Sequence, residues 1–159
     1  MSQILRTQPV FRPTVSPEEQ AAIRLARLMA VRQHEMDQML KAFGLTTIQY
    51  NALRILNGAG PHGLCGTEMA ERLVSQAPDV PRLLDRLTEA GFIVRDRDPE
   101  NRRFVRARIT PEGVQRLVDS AQTVAAMHQR HWQNFSREQL DAFVALLKQL
   151  EGQPDTGER

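Results

Sequence analysis

The chain has 159 residues, 41% apolar and 25% charged, with 21 basic against 19 acidic side chains and a net charge of +2, the balance of one globular domain with a core and an oligomerisation surface. No apolar run reaches the roughly 18 residues of a membrane helix, and the first residues lack the apolar segment and cleavage site of an export signal. Cys65 is the only cysteine, which excludes an internal disulfide, and the expected setting is the cytoplasm with no membrane partner.

In chain order, residues 1–15 carry Pro9 and Pro13 without a sustained period and predict an N-terminal arm. Ser16-Pro17-Glu18-Glu19 combines a cap, a first-turn proline and the acid of a capping box. The helix it starts carries Ile23, Ala26, Ala30, Met36, Met39, Leu40 and Phe43 and stops at Gly44. Its apolar surface is nearly two-sided, so that one face serves a core and the other a second subunit. Thr46-Thr47-Ile48-Gln49 repeats the box, with Leu45 and Tyr50 as hydrophobic staple, and the second helix runs to about Leu56 before Asn57-Gly58-Ala59-Gly60-Pro61. A short third helix is expected around Thr67 to Val74, then a turn at Ser75-Gln76-Ala77. Regular helix resumes between Pro78 and Pro81, because proline is tolerated only in the first turn, and ends at Gly91.

The period then switches to alternation. Phe92 to Arg95 reads as a strand, Asp98-Pro99-Glu100-Asn101 as a turn, and Arg103 to Ile109 as the returning strand, with Val105, Ala107 and Ile109 on one face and Arg106 and Arg108 on the other. Thr110-Pro111-Glu112 caps a fifth helix bearing Val114, Leu117, Val118, Ala121, Val124 and Ala125. Ser136-Arg137-Glu138-Gln139 starts a sixth, stapled by Phe135 and Leu140, with Phe143, Val144, Leu147 and Leu150 as its stripe.

A short helix, a tight turn, a second amphipathic helix and a basic hairpin make a winged helix–turn–helix. The fold class is therefore mainly α with a small β-hairpin wing, flanked by N- and C-terminal dimerisation helices. The expected division is an arm at 1–15, a first dimerisation helix at 16–44, a DNA-binding lobe at 45–110, C-terminal dimerisation helices at 111–151 and a tail at 152–159. Six arginines (Arg95, Arg97, Arg102, Arg103, Arg106, Arg108) fall between residues 95 and 108. Such clustering of guanidinium groups, which fork onto phosphates and base edges, points to an anionic partner.

Met69-Ala70-Glu71-Arg72-Leu73, Arg82-Leu83-Leu84-Asp85-Arg86-Leu87, Ala90-Gly91-Phe92-Ile93-Val94-Arg95, Asp98-Pro99-Glu100-Asn101-Arg102-Arg103 and Ile109-Thr110-Pro111-Glu112-Gly113 follow in order and spacing. In these five pieces the chain resembles the MarR family of transcription factors, whose pattern is roughly LAERL…RLLDRLEKKGLVERRRDPEDRR…LTPEG. It departs from that pattern at Asn101, where family members commonly carry an aspartate held to orient the wing arginine, and in the prolines around the fourth helix.

On the fourth helix, Val80, Leu83, Leu84 and Leu87 share an inward face, while Arg82 and Arg86, four apart, share the other. Gln76, Ala77, Asp79, Arg82 and Arg86 are the residues expected to meet the major groove of double-stranded DNA, and Arg97, Arg102 and Arg103 of the wing to lie at the flanking minor groove. The bland reading of Arg82 and Arg86 is pairing with Asp79, Asp85 and Glu89. The resemblance implies a homodimer and a small aromatic or phenolic effector. Residues that could line its cavity are His34, Tyr50, Arg27 and Trp132, which serve equally as core and surface.

No nucleophile–base signature, metal motif or phosphate-cradling loop is present in the sequence, so no catalytic residue, metal or cofactor is expected. His128 and His131, three apart, read as a polar patch ahead of a metal pair completed by His34 and Glu35. Cys65 reads as a small, partly buried residue ahead of a redox sensor. The competing function is a winged helix that docks proteins without reading DNA sequence. The region from Gln76 to Arg82 discriminates, since only base reading needs side chains there.

Overall fold

Ser16 opens the first helix as its spacing predicts. Its hydroxyl accepts from the Glu19 N–H at 3.2 Å, and Pro17 takes the first helical position, where a missing N–H costs nothing. The structure is a computed structural model that describes residues 15–73, 79–97 and 105–152. Its elements are α1 (Pro17–Lys41), α2 (Thr47–Ala59), a 3₁₀ turn (Gly60–His62), β1 (Leu64–Cys65), α3 (Gly66–Arg72), α4 (Val80–Glu89), β2 (Ile93–Arg97), β3 (Val105–Ile109), α5 (Pro111–Trp132) and α6 (Arg137–Leu150). Five of the six helices, α3 being the exception, start on a Ser, Thr or Asp whose side chain accepts a backbone N–H.

The fold is a winged helix–turn–helix between flanking helices. Its core gathers Leu40 of α1, Leu45, Tyr50, Leu53 and Leu56 of α2 and its lead-in, Met69 of α3, the Val80, Leu83, Leu84 and Leu87 face of α4, Ile93 and Ala107 of the sheet, and Val124 of α5. The Leu45–Tyr50 staple is buried at both ends. Asp37 of α1 reaches the start of α2, accepting from the Thr47 hydroxyl at 2.7 Å and the Thr47 N–H at 3.2 Å.

Several elements differ from expectation. The hairpin is part of a three-stranded antiparallel sheet of order β1–β3–β2, with Leu64 opposite Ala107 and Ile93 opposite Ile109. The strand β1 is absent from the sequence reading because two residues carry no alternation; only β3 alongside makes it a strand. Helix α2 continues past Leu56 through Asn57 and Gly58 to Ala59, which packs against the core, so tertiary burial overrides the poor helix formers. Helix α3 stops at Arg72, since Leu73 turns to extended backbone while burying its side chain. The expected turn at Ser75-Gln76-Ala77, the hairpin turn at 98–101 and the start of the second strand at Arg103 lie outside the described residues.

The expected stripe of α5 also divides. Gly113, Ser120, Val124 and Met127 are buried and Leu117 is partly so, whereas Val114, Val118, Ala121 and Ala125 face outward. The sequence reading merged two adjacent stripes on one helix, of which only one meets this chain's own core. Ser120 is fully buried and satisfies its hydroxyl within the helix, donating to the Arg116 carbonyl at 2.8 Å.

Candidate nucleic-acid interface

Helix α4 is built to present one polar face. Asp79 caps it, its carboxylate accepting from the Arg82 N–H at 3.1 Å, and Pro81 sits in the first turn, where it lacks no partner. Val80, Leu83, Leu84 and Leu87 go inward, which leaves Arg82, Asp85, Arg86 and Glu89 exposed. The helix ends at Gly91, which at φ +73° accepts the left-handed turn that lets its own N–H reach the Thr88 carbonyl and the Phe92 N–H reach the Leu87 carbonyl. The chain is thereby turned into β2, directly below the helix.

The two exposed arginines of α4 do not pair as the bland reading requires. Asp79 is engaged as the cap, and Asp85 ion-pairs with Arg95 of β2. Among the described residues neither Arg82 nor Arg86 has an acidic partner. Both residues line a cleft of about 180 Å³ shared with Thr46, Ile48 and Gln49 at the start of α2.

The arginines of the hairpin divide differently. Arg95 pairs with Asp85, Arg106 with Glu68 of α3 at 3.2 Å, and Arg108 with Asp96 across the sheet. Glu68 also accepts from the Cys65 N–H at 2.7 Å. That backbone donor, followed by the Cys65 side chain and the Arg106 charge, holds its carboxyl below the usual range. Three of the six clustered arginines are thus internal ties. Arg97, exposed at the end of β2, has no acidic partner among the described residues. Gln76, Ala77, Arg102 and Arg103 lie outside the described residues. The sequence reading missed Asp85 and Glu68 as partners: the first reads as a helix-surface acid and the second as an early-turn acid of a short helix, and neither spacing reveals the strand beside it.

The four residues expected around an effector do not share one cavity. His34 lines a cavity of about 450 Å³ between α1 and α5, with Glu35, Gln38, Met39, Met127, Arg130 and His131. Arg27 lies on a separate cleft of about 610 Å³ along α1 with Gln20, Ile23, Arg24 and Leu28. Tyr50 is buried in the core with the Arg54 guanidinium 5.9 Å from its ring centre, and Trp132 packs against Phe135 and Phe143 at the α5–α6 corner. Glu35 is the polar centre of the first cavity. It bonds Arg32 at 2.9 Å and the His131 Nε2 at 2.8 Å, and the Arg32 hydrogen bond is the main cause of its lowered pKa. His128 meets His131 edge-on at 6.5 Å, and among the described residues no three metal-ligating side chains gather.

The model of the MarR family matches residues 45–105. The HTH-type transcriptional repressor YetL of Bacillus subtilis (strain 168) is 30% identical over 117 residues, which cover 74% of this chain and 70% of YetL. The chain belongs to the MarR family. The crystal structure of a MarR transcription factor from Planctomyces limnophilus is 32% identical, covers 84% of this chain and 96% of its own, and superposes with a TM-score of 0.65. S. aureus MepR in its DNA complex shares the fold at a TM-score of 0.76 and 22% identity, over 86% of this chain and 98% of MepR. This MarR-family chain is accordingly a DNA-binding transcriptional regulator, and the reading as a protein-docking winged helix is set aside. The relatives are regulators, and no helix among the described residues is long and apolar enough to cross a membrane.

Proposed function

We propose that this MarR-family regulator is a cytoplasmic homodimer that represses by binding a two-fold-symmetric operator, and that a small aromatic or phenolic effector releases it. Residues 45–110 serve as the reading lobe and the helices on either side as the dimer. Gln76, Ala77, Asp79, Arg82 and Arg86 meet the major groove, and Arg97, Arg102 and Arg103 the flanking minor groove. The observation that carries the reading is the polar face of α4, whose two arginines have no acidic partner among the described residues although three acids, Asp79, Asp85 and Glu89, lie on or beside that helix.

The dimer is supported by apolar side chains left outside the core. Val118, Leu146 and Leu150 are 60%, 62% and 73% exposed, and no residue of α6 is buried. A face of that kind on the helices flanking the lobe fits a second copy of the chain. The cavity between α1 and α5 is the place for the effector. Met39 and Met127 offer apolar contact, His34 and His131 face a hydroxyl or carboxylate, and the volume of about 450 Å³ suits a single aromatic ring with substituents. To release the operator, the effector has to bind the DNA-incompetent arrangement of the dimer more tightly than the competent one.

Titration against a pool of random duplexes at two salt concentrations, with sequencing of the bound fraction, tests the reading. Enrichment of one palindrome with affinity falling steeply in salt is the expected result. Salt-sensitive binding without enrichment would reject the operator, and an enriched site without symmetry would reject the dimer.

A further inference from the structure

The ion pairs that consume the hairpin arginines run between elements. Asp85 on the exposed side of α4 holds Arg95 of β2. Glu68 in the first turn of α3 holds Arg106 of β3, which also donates to the Gly63 carbonyl at 3.5 Å. One pair thus joins the second helix of the helix–turn–helix to one wing strand, and the other joins the first helix to the other strand. Arg108 and Asp96 tie the two strands to each other, over the register that sets Arg97 opposite Val105. These three pairs tie β2 and β3 to each other and to the two helices. Beyond them, the side of β2 that follows Ile93 is exposed, so little apolar burial sets the angle of the outer wing.

We infer that Asp85 and Glu68 are positioning residues for DNA binding, which hold the wing at a set angle to α3 and α4 through Arg95 and Arg106. The inference rests on the proposed reading that α4 and the wing together carry the DNA contacts. It makes a prediction of unusual sign. Asp85 neighbours Arg86 on the exposed face, and a carboxylate near a polyanion opposes binding, so its removal would tighten the complex by charge alone. If the acid positions the wing, its removal weakens the complex instead. One exposed ion pair carries at most about a fivefold effect.

The test is a double-mutant cycle on the full chain, read as affinity for the enriched duplex across a salt series. Asp85→Asn is expected to weaken binding about threefold, within the range of one exposed pair, and to leave the slope of log affinity against log salt unchanged. Asp85→Asn/Arg95→Gln is expected to bind no more weakly than Arg95→Gln alone. Glu68→Gln should act in the same direction as Asp85→Asn. Asp85→Asn binding as tightly as the parent or tighter overturns the inference. So does a salt slope reduced by about 0.9 in Arg95→Gln, the mark of a lost phosphate contact. Arg82→Ala/Arg86→Ala separates the two levels. If that variant keeps full affinity and slope, the interface reading itself fails. If it weakens binding while Asp85→Asn does not, the interface stands and only the positioning role is lost. Circular dichroism melts on each variant check that the fold is intact, so that a loss of affinity is read only from folded protein.

Discussion

Arg95 and Arg82 are thirteen positions apart and chemically identical, yet the structure gives them opposite tasks. Arg95 ends on Asp85 and is a tie within the protein; Arg82 has no acidic partner among the described residues. The sequence marks both as ligands for an anion, Arg95 by its place in the arginine cluster and Arg82 by its helix face. What separates them is which acid folding brings within reach, and that depends on the turn at Gly91. The residue after that turn, Phe92, makes a tight contact with α5. At Gly113, in the first turn of α5, an added Cβ would stand 2.3 Å from the Phe92 carbonyl oxygen and 2.8 Å from Ile109 Cγ1. The carbonyl cannot retreat cheaply, because it accepts from the Thr110 N–H at 3.0 Å. Gly113→Ala is therefore expected to lose about 1–3 kcal/mol by overpacking, more than the roughly 1 kcal/mol that alanine gains in a helix. Urea unfolding at 25 °C measures it; a stability equal to or above the parent's would refute the contact.

Among elements, the angle between α1 and the lobe depends on the C-terminal half of α1, and Asp37 is its polar anchor. The Thr47 hydroxyl is the chief cause of the lowered Asp37 pKa, with smaller support from Gln33 and the Thr47 N–H. A carboxyl depressed in the folded state adds stability that is present above its unfolded value of about 4 and is lost as the pH falls through the folded value. Stability should accordingly decline as the pH drops below about 4, and Asp37→Asn should flatten that part of the profile while lowering the plateau at pH 7. Denaturant titrations across the acid range test this, and parallel profiles for the two proteins would exclude the role. The anchor is invisible in the sequence, where Asp37 is one more polar residue on a long helix and Thr47 only the residue after a cap.

At the scale of the whole molecule, α6 has no buried residue and the outer stripe of α5 exposes Val114 and Val118. The helices that flank the lobe leave these apolar side chains outside the chain's own core. If a second copy covers them, Leu146→Glu with Leu150→Glu should raise the dimer dissociation constant by at least about a hundredfold, as burying two carboxylates costs several kcal/mol. The monomer's own fold should be spared, because neither leucine is part of its core. Sedimentation velocity over a dilution series measures the shift, and affinity for the operator should fall with it. A parent protein that sediments as a monomer at all concentrations would remove the dimer.

Much of this protein was legible before any coordinate. Four helix starts were, because a cap is a local event: Ser16, Thr46, Thr110 and Ser136 each satisfy donors within three residues, whereas the fourth helix was bracketed by its prolines and only the structure gave Asp79 as its cap. So was the inward face of α4, since 3.6 residues per turn decides which leucines share a side. Tertiary structure alone decided the rest. It made a strand of Leu64 and Cys65, separated the two stripes of α5, divided the described arginines into ties and charges with no acidic partner among the described residues, and distributed His34, Tyr50, Arg27 and Trp132 over different surroundings. Each of these turns on a partner distant in the chain, and the strength of a contact depends on separation in space, which no spacing along the sequence records.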